Sequence, residues 1–368
     1  MKNNYSNYNF DLRSLIRKNI LSIEPYISAR SEHNKEKNSI FLDANENSFG
    51  PPLSFLNSYH RYPDPIQKEL KKKISELKNV STSNIFLGNG SDEIIDLIYR
   101  IFSIPGIDNA IIFPPTYGMY EVSGKIHGVD IVKITLTEEE YQLNLDKIKK
   151  IVNHHSKIIF ICSPNNPTGN DIKRKDIEHI IRIFSGIIVL DEAYIDFSYQ
   201  KSFSIDICKY PNLIILQTLS KSWGLAGLRI GIAIASKEII SWMNKIKHPY
   251  NISYLSQEIA IKALENKDLF FYHLKNIFSE RKYMEKSLQK ISIIEKVYPS
   301  SANFLLVKIN FSSKNLYKYL MEKNVFVRDR SKIVLCNHCL RITIGNHEEN
   351  EYLINKIKKY STKTTFKK

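Results

Sequence analysis

The sequence predicts an α/β protein, with a mostly parallel central sheet covered by helices in a large domain and a smaller α+β domain after it. Three observations carry this reading. From Ile40 onward, short and wholly apolar runs alternate with stretches of helical spacing. Polar and glycine-rich residues stand just past those runs. Beyond Tyr250 the pattern turns to long helix followed by scattered short strands. A strand covered on both faces must be apolar at every position, which is the mark of a parallel sheet between helical layers.

Residues 1–38 read as an arm that docks elsewhere. They comprise a polar start from Met1 to Asp11, an amphipathic stretch from Leu12 to Ile23, Pro25, and a polar run from Ser31 to Asn38. The large domain is placed at 39–250. In it, Asn84 to Leu87 is a strand ending in Gly88-Asn-Gly90, and Ser91 to Phe102 is a helix with apolar residues three and four apart and Ser91 or Asp92 near its cap. Further strands are expected at Ala110 to Phe113, stopped by Pro114-Pro115, and at Lys157 to Cys162, stopped by Ser163-Pro164. Two more run from Gly186 to Leu190, ending in Asp191, and from Leu213 to Leu216, ending near Ser220-Lys221. No breaker interrupts Ser253 to Ile291, so one long helix enters the small domain at 251–368. Strands at Phe304 to Ile309, Val325 to Arg328 and Leu340 to Ile344 lie among its helices, and the basic tail from Lys356 to Lys368 reads as a helix end fraying into solvent.

Composition narrows the function classes. With 43% hydrophobic and 25% charged residues, the chain has the make-up of an ordinary globular protein. Its net charge of +15 is spread among isoleucines and asparagines along the whole length, without a nucleic-acid-binding module, so the excess reads as solvated faces. Four cysteines make no disulfide framework, and Cys336-Asn-His-Cys339 lacks the second pair that a zinc site needs, so no metal is expected. No apolar run approaches the ~18 residues of a membrane span, and the N-terminus has no apolar signal core. The expectation is a cytoplasmic protein that binds neither nucleic acid nor membrane.

In open parallel sheets, ligands gather beyond the carboxyl ends of the strands. The polar residues there form a set. Asp191 ends one apolar strand, and Lys221 follows the next in Thr218-Leu-Ser-Lys221. Gly224-Leu-Ala-Gly-Leu-Arg229 adds small residues and a guanidinium suited to bidentate phosphate binding. Gly88-Asn-Gly90-Ser91-Asp92 feeds a helix N-terminus, whose free N–H groups attract a phosphate. The third glycine of a dinucleotide fingerprint is missing. Ser163-Pro-Asn-Asn166-Pro-Thr-Gly169 is a rigid turn that can aim an amide at a ligand. An amine to bond an aldehyde, an acid to keep a ring nitrogen protonated and anchors for a phosphate are the requirements of pyridoxal-phosphate chemistry. Each residue alone is a weak signal, and only the set is specific.

Four segments, in matching order and spacing, resemble those of the fold-type-I pyridoxal-phosphate aminotransferases: Pro114-Pro-Thr-Tyr-Gly-Met-Tyr120, Cys162-Ser-Pro-Asn-Asn-Pro-Thr-Gly169, Asp191-Glu-Ala-Tyr194 and Ser220-Lys-Ser-Trp-Gly-Leu-Ala-Gly-Leu-Arg229. Within that group the chain is most similar to the histidinol-phosphate aminotransferases, on Glu24-Pro-Tyr-Ile-Ser-Ala-Arg30, Ala44-Asn-Glu-Asn47, Arg61-Tyr-Pro63, Val327-Arg-Asp329 and Leu340-Arg-Ile-Thr-Ile-Gly345. The likeness covers Tyr26 to Gly345.

The resemblance implies a role for each matched residue. Lys221 holds the cofactor and then moves the proton at the substrate α-carbon, for which its pKa must fall towards neutrality. Tyr117 stacks on the ring, Asp191 meets its nitrogen, and Asn166 and Tyr194 bond its phenolic oxygen. Ser91, Asp92, Ser220 and Arg229 hold the phosphate, joined by Tyr62 of a neighbouring subunit, so a homodimer is implied. Arg341 and Arg328 take the substrate anion and Tyr26 closes over it. The implied substrates are histidinol phosphate and 2-oxoglutarate with glutamate. An aromatic or broad aminotransferase and a decarboxylase of a phosphorylated amino acid share these motifs and stay open; a non-catalytic regulator would need an additional DNA-binding domain. Trp223 stands where Phe is expected and Ser222 where Ala is usual, while Asn89 and Ser91 are variants in the glycine turn.

Overall fold

The computed structural model describes residues 10–26, 40–52 and 59–365. Most of the expected polar start, the arm's polar run from Ser31 to Asn38, the motif residues 27–30 and the last three residues of the basic tail lie outside the described residues. In chain order the strands are β1 (Ile85–Asn89), β2 (Asn109–Ile112), β3 (Asp130–Lys133), β4 (Ser156–Cys162), β5 (Ile187–Asp191), β6 (Leu213–Thr218), β7 (Ile230–Ala235), β8 (Ile294–Val297), β9 (Phe304–Ile309), β10 (Arg328–Asp329) and β11 (Cys339–Thr343). The helices longer than two turns are α1 (Lys68–Lys78), α2 (Gly90–Phe102), α3 (Met119–Ile126), α4 (Arg174–Ile183), α5 (Lys237–Ile246), α6 (Tyr254–Glu265), α7 (Lys267–Gln289), α8 (Ser313–Glu322) and α9 (His347–Thr365). The chain forms two compact units, one from residues 1–104 with 203–267 and the other from 105–202 with 268–368.

In the first unit, β7 pairs antiparallel with both β1 and β6. All six residues of β7 are buried, as are those of β6. Helix α2 buries Ile94, Ile95, Leu97, Ile98, Ile101 and Phe102, the 3–4 spacing visible in the sequence. It starts one residue before the expected Ser91, with Asn89 as cap and no side-chain cap bond. Instead Glu93, one turn on, reaches back to accept from the Asn89 N–H. Its seat is made by two glycines. A Cβ at Gly231 would lie 2.4 Å from the Gly90 carbonyl carbon and 2.5 Å from the Ser91 nitrogen. Only a residue without a side chain allows backbone to approach backbone so closely.

In the second unit, β2 pairs parallel with β3 and β4, and β4 pairs parallel with β5. Every residue of β2 and β5 is buried. The same unit carries a four-stranded antiparallel sheet of order β10-β11-β9-β8. One core joins Leu305, Val307, Leu340 and Ile342 of this sheet to Met284, Leu288, Leu316, Leu320 and Ile354 of its helices. Parallel β2–β5 and the separate β8–β11 layer bear out the expected mostly parallel sheet with a smaller α+β lobe.

Three features differ from the expectation. The long helix is two helices, α6 and α7, because Asn266 leaves the helical region at φ −97°, ψ 64° and turns its N–H back to the Ala263 carbonyl. Asparagine favours such ends because its side chain competes for nearby backbone groups. The strand expected at Val325 to Arg328 is confined to Arg328–Asp329. Strands β3, β7 and β8 had no counterpart in the sequence reading; β3 and β8 expose some of their residues and so lack a wholly apolar run. Replacing Gly231 by Ala should lower the urea-unfolding free energy by about 1–3 kcal/mol, the cost of overpacking where backbone atoms cannot yield. An unchanged unfolding midpoint would show that α2 can lift off β7.

Candidate functional site

In the first unit the glycine turn and Arg229 come together at the start of α2. Gly90 sits at φ +77° and its N–H donates to the Arg229 carbonyl at 2.6 Å. Any Cβ there would strike the Arg229 guanidinium at 2.5 Å, so Gly90 is what lets that side chain reach the start of α2. Arg229 is itself held in the left-handed region at φ +57°, which costs about 1–3 kcal/mol for a non-glycine residue and is tolerated where the surroundings dictate it. Its guanidinium pairs with Asp92 at 3.7 Å, both side chains about half exposed. Ser91 and Asp92 occupy the first turn of α2, at the positive end of the helix dipole, which favours an anion. Ser220 is half-buried just past β6, its N–H donating to Thr218 Oγ1, and Lys221 is exposed. Ser222 is buried and Trp223 half-buried.

Two further motifs of this unit meet each other. Glu46 of the Ala44-to-Asn47 segment bonds Arg61 at 2.6 Å and accepts from the Tyr62 N–H at 2.7 Å. Tyr62 stacks on Tyr250 with ring centroids 4.4 Å apart and remains half exposed. Tyr26 is largely exposed.

The second unit gathers the other expected residues. Asp191 ends β5 in a buried position, where it accepts from the Ala193 N–H at 3.0 Å and from the Tyr120 hydroxyl at 2.5 Å. Burial first, and then the carboxylate, push the Tyr120 hydroxyl well above its ordinary pKa, so it stays a donor. Tyr120 is fully buried and stacks on Phe160 of β4. Tyr117, half-buried, meets the edge of the Tyr120 ring.

The two proline turns are stapled by Asn165, whose amide donates to the Pro115 carbonyl at 2.8 Å and to Thr168 Oγ1 at 2.7 Å. This leaves its neighbour Asn166 to face the site. Asn166 Nδ2 donates to the Tyr194 hydroxyl at 3.3 Å, and its Oδ1 accepts from Arg341 Nη1 at 2.6 Å. Burial raises the Tyr194 pKa, keeping the phenol protonated. Phe304 of β9 lies edge-on to Tyr194 and beneath the Arg341 guanidinium. Arg281 of α7 is buried and donates to the Phe197 and Ala302 carbonyls, tying together the turn that carries Tyr194 and the start of β9.

Arg328 and Arg341 stand directly opposite each other in the β10–β11 register. The surface ion pair with Asp329 that could have explained Arg328 does not form: Asp329 accepts from the Ser331 N–H. Burial, and then the neighbouring Arg328, lower the Arg341 pKa, while Tyr194 opposes them. Cys336 and Cys339 are buried free thiols, and among the described residues no cluster fit to hold a metal occurs.

Tyr120 and Arg281 were missed as site-building residues. Tyr120 lies in a motif quoted for its other tyrosine. Arg281 is one of several charged residues in a long helix, and only its burial sets it apart. Tyr120→Phe should leave the Asp191 carboxylate short of a donor and lower the unfolding free energy by about 1–3 kcal/mol; an unaltered denaturation curve would deny the bond its weight.

Comparison with known proteins agrees with the motifs. The family model described as "Aminotransferase class I and II" matches residues 40–357. A histidinol-phosphate aminotransferase of Cytophaga hutchinsonii is 49% identical over 351 residues, covering 95% of this chain and 99% of that protein. Among solved structures, the histidinol-phosphate aminotransferase from Clostridium acetobutylicum is 29% identical with a TM-score of 0.75, covering 82% of this chain and 91% of that one. The same fold occurs in the Sinorhizobium meliloti histidinol-phosphate aminotransferase in complex with pyridoxal-5'-phosphate, with a TM-score of 0.76 at 22% identity, covering 87% of this chain and 90% of that one.

Proposed function

The chain belongs to the aminotransferase class I and II family, and on that premise we propose that it moves the amino group of L-histidinol phosphate to 2-oxoglutarate, in histidine biosynthesis, with pyridoxal phosphate as cofactor. The observation that carries the substrate is the opposed pair Arg328 and Arg341, two guanidiniums without a carboxylate partner among the described residues. Near-complete coverage of a relative that bears this activity supports the same reading.

The residues present fit the cofactor. A left-handed glycine turn, a helix N-terminus and Arg229 suit a phosphate; a buried carboxylate suits a ring nitrogen; an amide and a protonated phenol suit a ring oxygen. When bound, pyridoxal phosphate supplies an aldehyde carbon for the substrate amine and a protonated ring that takes up electrons from the α-carbon. Lys221 Nζ would hold the cofactor and would carry the proton at the substrate α-carbon. Asp191 keeps the ring nitrogen protonated, and the Tyr120 hydroxyl keeps that carboxylate aligned. Tyr194 donates to the ring oxygen beside Asn166, and Tyr117 covers the ring face. Ser91, Asp92, Ser220 and Arg229 hold the phosphate.

Arg341, backed by Asn166 and Phe304, and Arg328 bind the phosphate of histidinol phosphate or a carboxylate of the oxo acid. Tyr62 serves the phosphate of a neighbouring subunit in a homodimer, and Tyr26 closes over the substrate. Residues 39–250 act as the cofactor-binding domain, 251–368 as the small domain, and 1–38 as an arm, in a cytoplasmic enzyme.

A panel of amino donors with 2-oxoglutarate, with carbon dioxide monitored in parallel, should give glutamate fastest from histidinol phosphate and no gas. Gas release, or a clear preference for aromatic amino acids, would overturn the reading. Lys221→Ala should abolish the visible absorbance of the yellow holoenzyme and slow transamination by about 10²–10⁴-fold, the usual contribution of a positioned acid–base group. A variant that retains both spectrum and rate would remove Lys221 from the chemistry.

A further inference from the structure

Arg330 matches none of the motifs that define the family likeness, yet the fold aims it at the same place as Arg328 and Arg341. Side chains two apart on an extended strand share a face, and directly paired residues of antiparallel strands also share one. Arg328 is paired with Arg341, and the Arg330 N–H continues the ladder by donating to the Cys339 carbonyl at 3.0 Å. The pleat therefore brings Arg328, Arg330 and Arg341 to one face. Asp329 and Leu340, paired with each other, take the opposite one, with Leu340 in the hydrophobic core.

Arg330 Nε and Arg341 Nε are both buried without a hydrogen-bond partner, and among the described residues no carboxylate pairs with any of the three guanidiniums. Burial, Arg341 and Arg328 together lower the Arg330 pKa, which places its charge in the field of the other two. Buried donors left open and three like charges held together are costly arrangements, and an anion that accepts from all of them relieves both costs.

We propose that Arg330 is a specificity-determining residue, the third guanidinium of the substrate anion site, and that it favours a dianionic phosphate monoester over a carboxylate. A carboxylate offers two acceptor oxygens and a single charge, which the Arg341–Arg328 pair can meet. A phosphate monoester offers three terminal oxygens and up to two charges, and the third guanidinium answers the remainder. The inference rests on the aminotransferase reading above and deepens it.

The test measures both half-reactions of the holoenzyme separately, with histidinol phosphate and with glutamate, for Arg330→Gln and Arg330→Lys beside Arg341→Ala as reference. Arg330→Gln should raise KM for histidinol phosphate about tenfold or more, the weight of a charge-assisted hydrogen bond. Its kcat should hold, KM for glutamate should barely move, and competition by inorganic phosphate should weaken in parallel. Arg330→Lys should recover part of the loss, and it carries the test if the glutamine variant fails to fold. Arg341→Ala should impair both half-reactions. An equal rise in KM for both substrates, a fall in kcat alone, or no change would overturn the assignment of Arg330. A wild-type enzyme without preference for the phosphorylated donor would instead overturn the histidinol-phosphate reading on which it stands.

Discussion

Where Gly231 of β7 lies against the Gly90–Ser91 peptide, no side-chain atom separates two stretches of backbone. The rest of the glycine-turn end of β7 and α2 follows from that approach. It seats the first turn of α2 on the sheet, so the N–H groups of that turn are held in a fixed direction. The Gly90 N–H then reaches the Arg229 carbonyl, and the absent Gly90 side chain leaves room for the Arg229 guanidinium. A left-handed Arg229 is a local cost, and the pairing of β7 with β1 and β6 on either side holds it there.

The second unit uses polar burial differently. Asp191 is a buried carboxylate with specific donors, so its charge is satisfied and its orientation set. The arginine face of β10 and β11 is the reverse, since among the described residues its cations are gathered without a protein anion. A satisfied buried charge acts as a fixed part of the machinery. An unsatisfied group of charges is a place prepared for something that arrives. Asn166 links the two arrangements, because its amide serves Tyr194 while its carbonyl orients Arg341.

Much of this was legible in the linear chain. Wholly apolar runs marked β2, β4, β5 and β6 because burial on both faces leaves no polar option. The residues closing those runs were found as a chemical set, since each required group stands at a strand end or in a rigid turn. What escaped notice has several causes. β3 and β8 leave some residues exposed, and the apolar β7 directly follows a motif read for its phosphate-binding arginine. The break at Asn266 is a one-residue departure within otherwise good helical sequence, and helix-forming neighbours conceal it.

Residue chemistry and local spacing thus determined on their own the kinds of element, the family likeness and the candidate residues at the strand ends, because those properties are written in neighbouring positions. Tertiary structure alone decided which side chains share a face and which charges stay unanswered. Arg330 joins Arg341 only through the register of β10 on β11, Tyr120 meets Asp191 only because α3 follows β2 beside the β4–β5 pair, and Gly231 matters only because α2 descends onto it. Pairing register and close approach are relations between segments far apart in sequence. They have no local signature, and they turn a list of plausible residues into a glycine-seated helix start, a braced carboxylate and a shared cationic face.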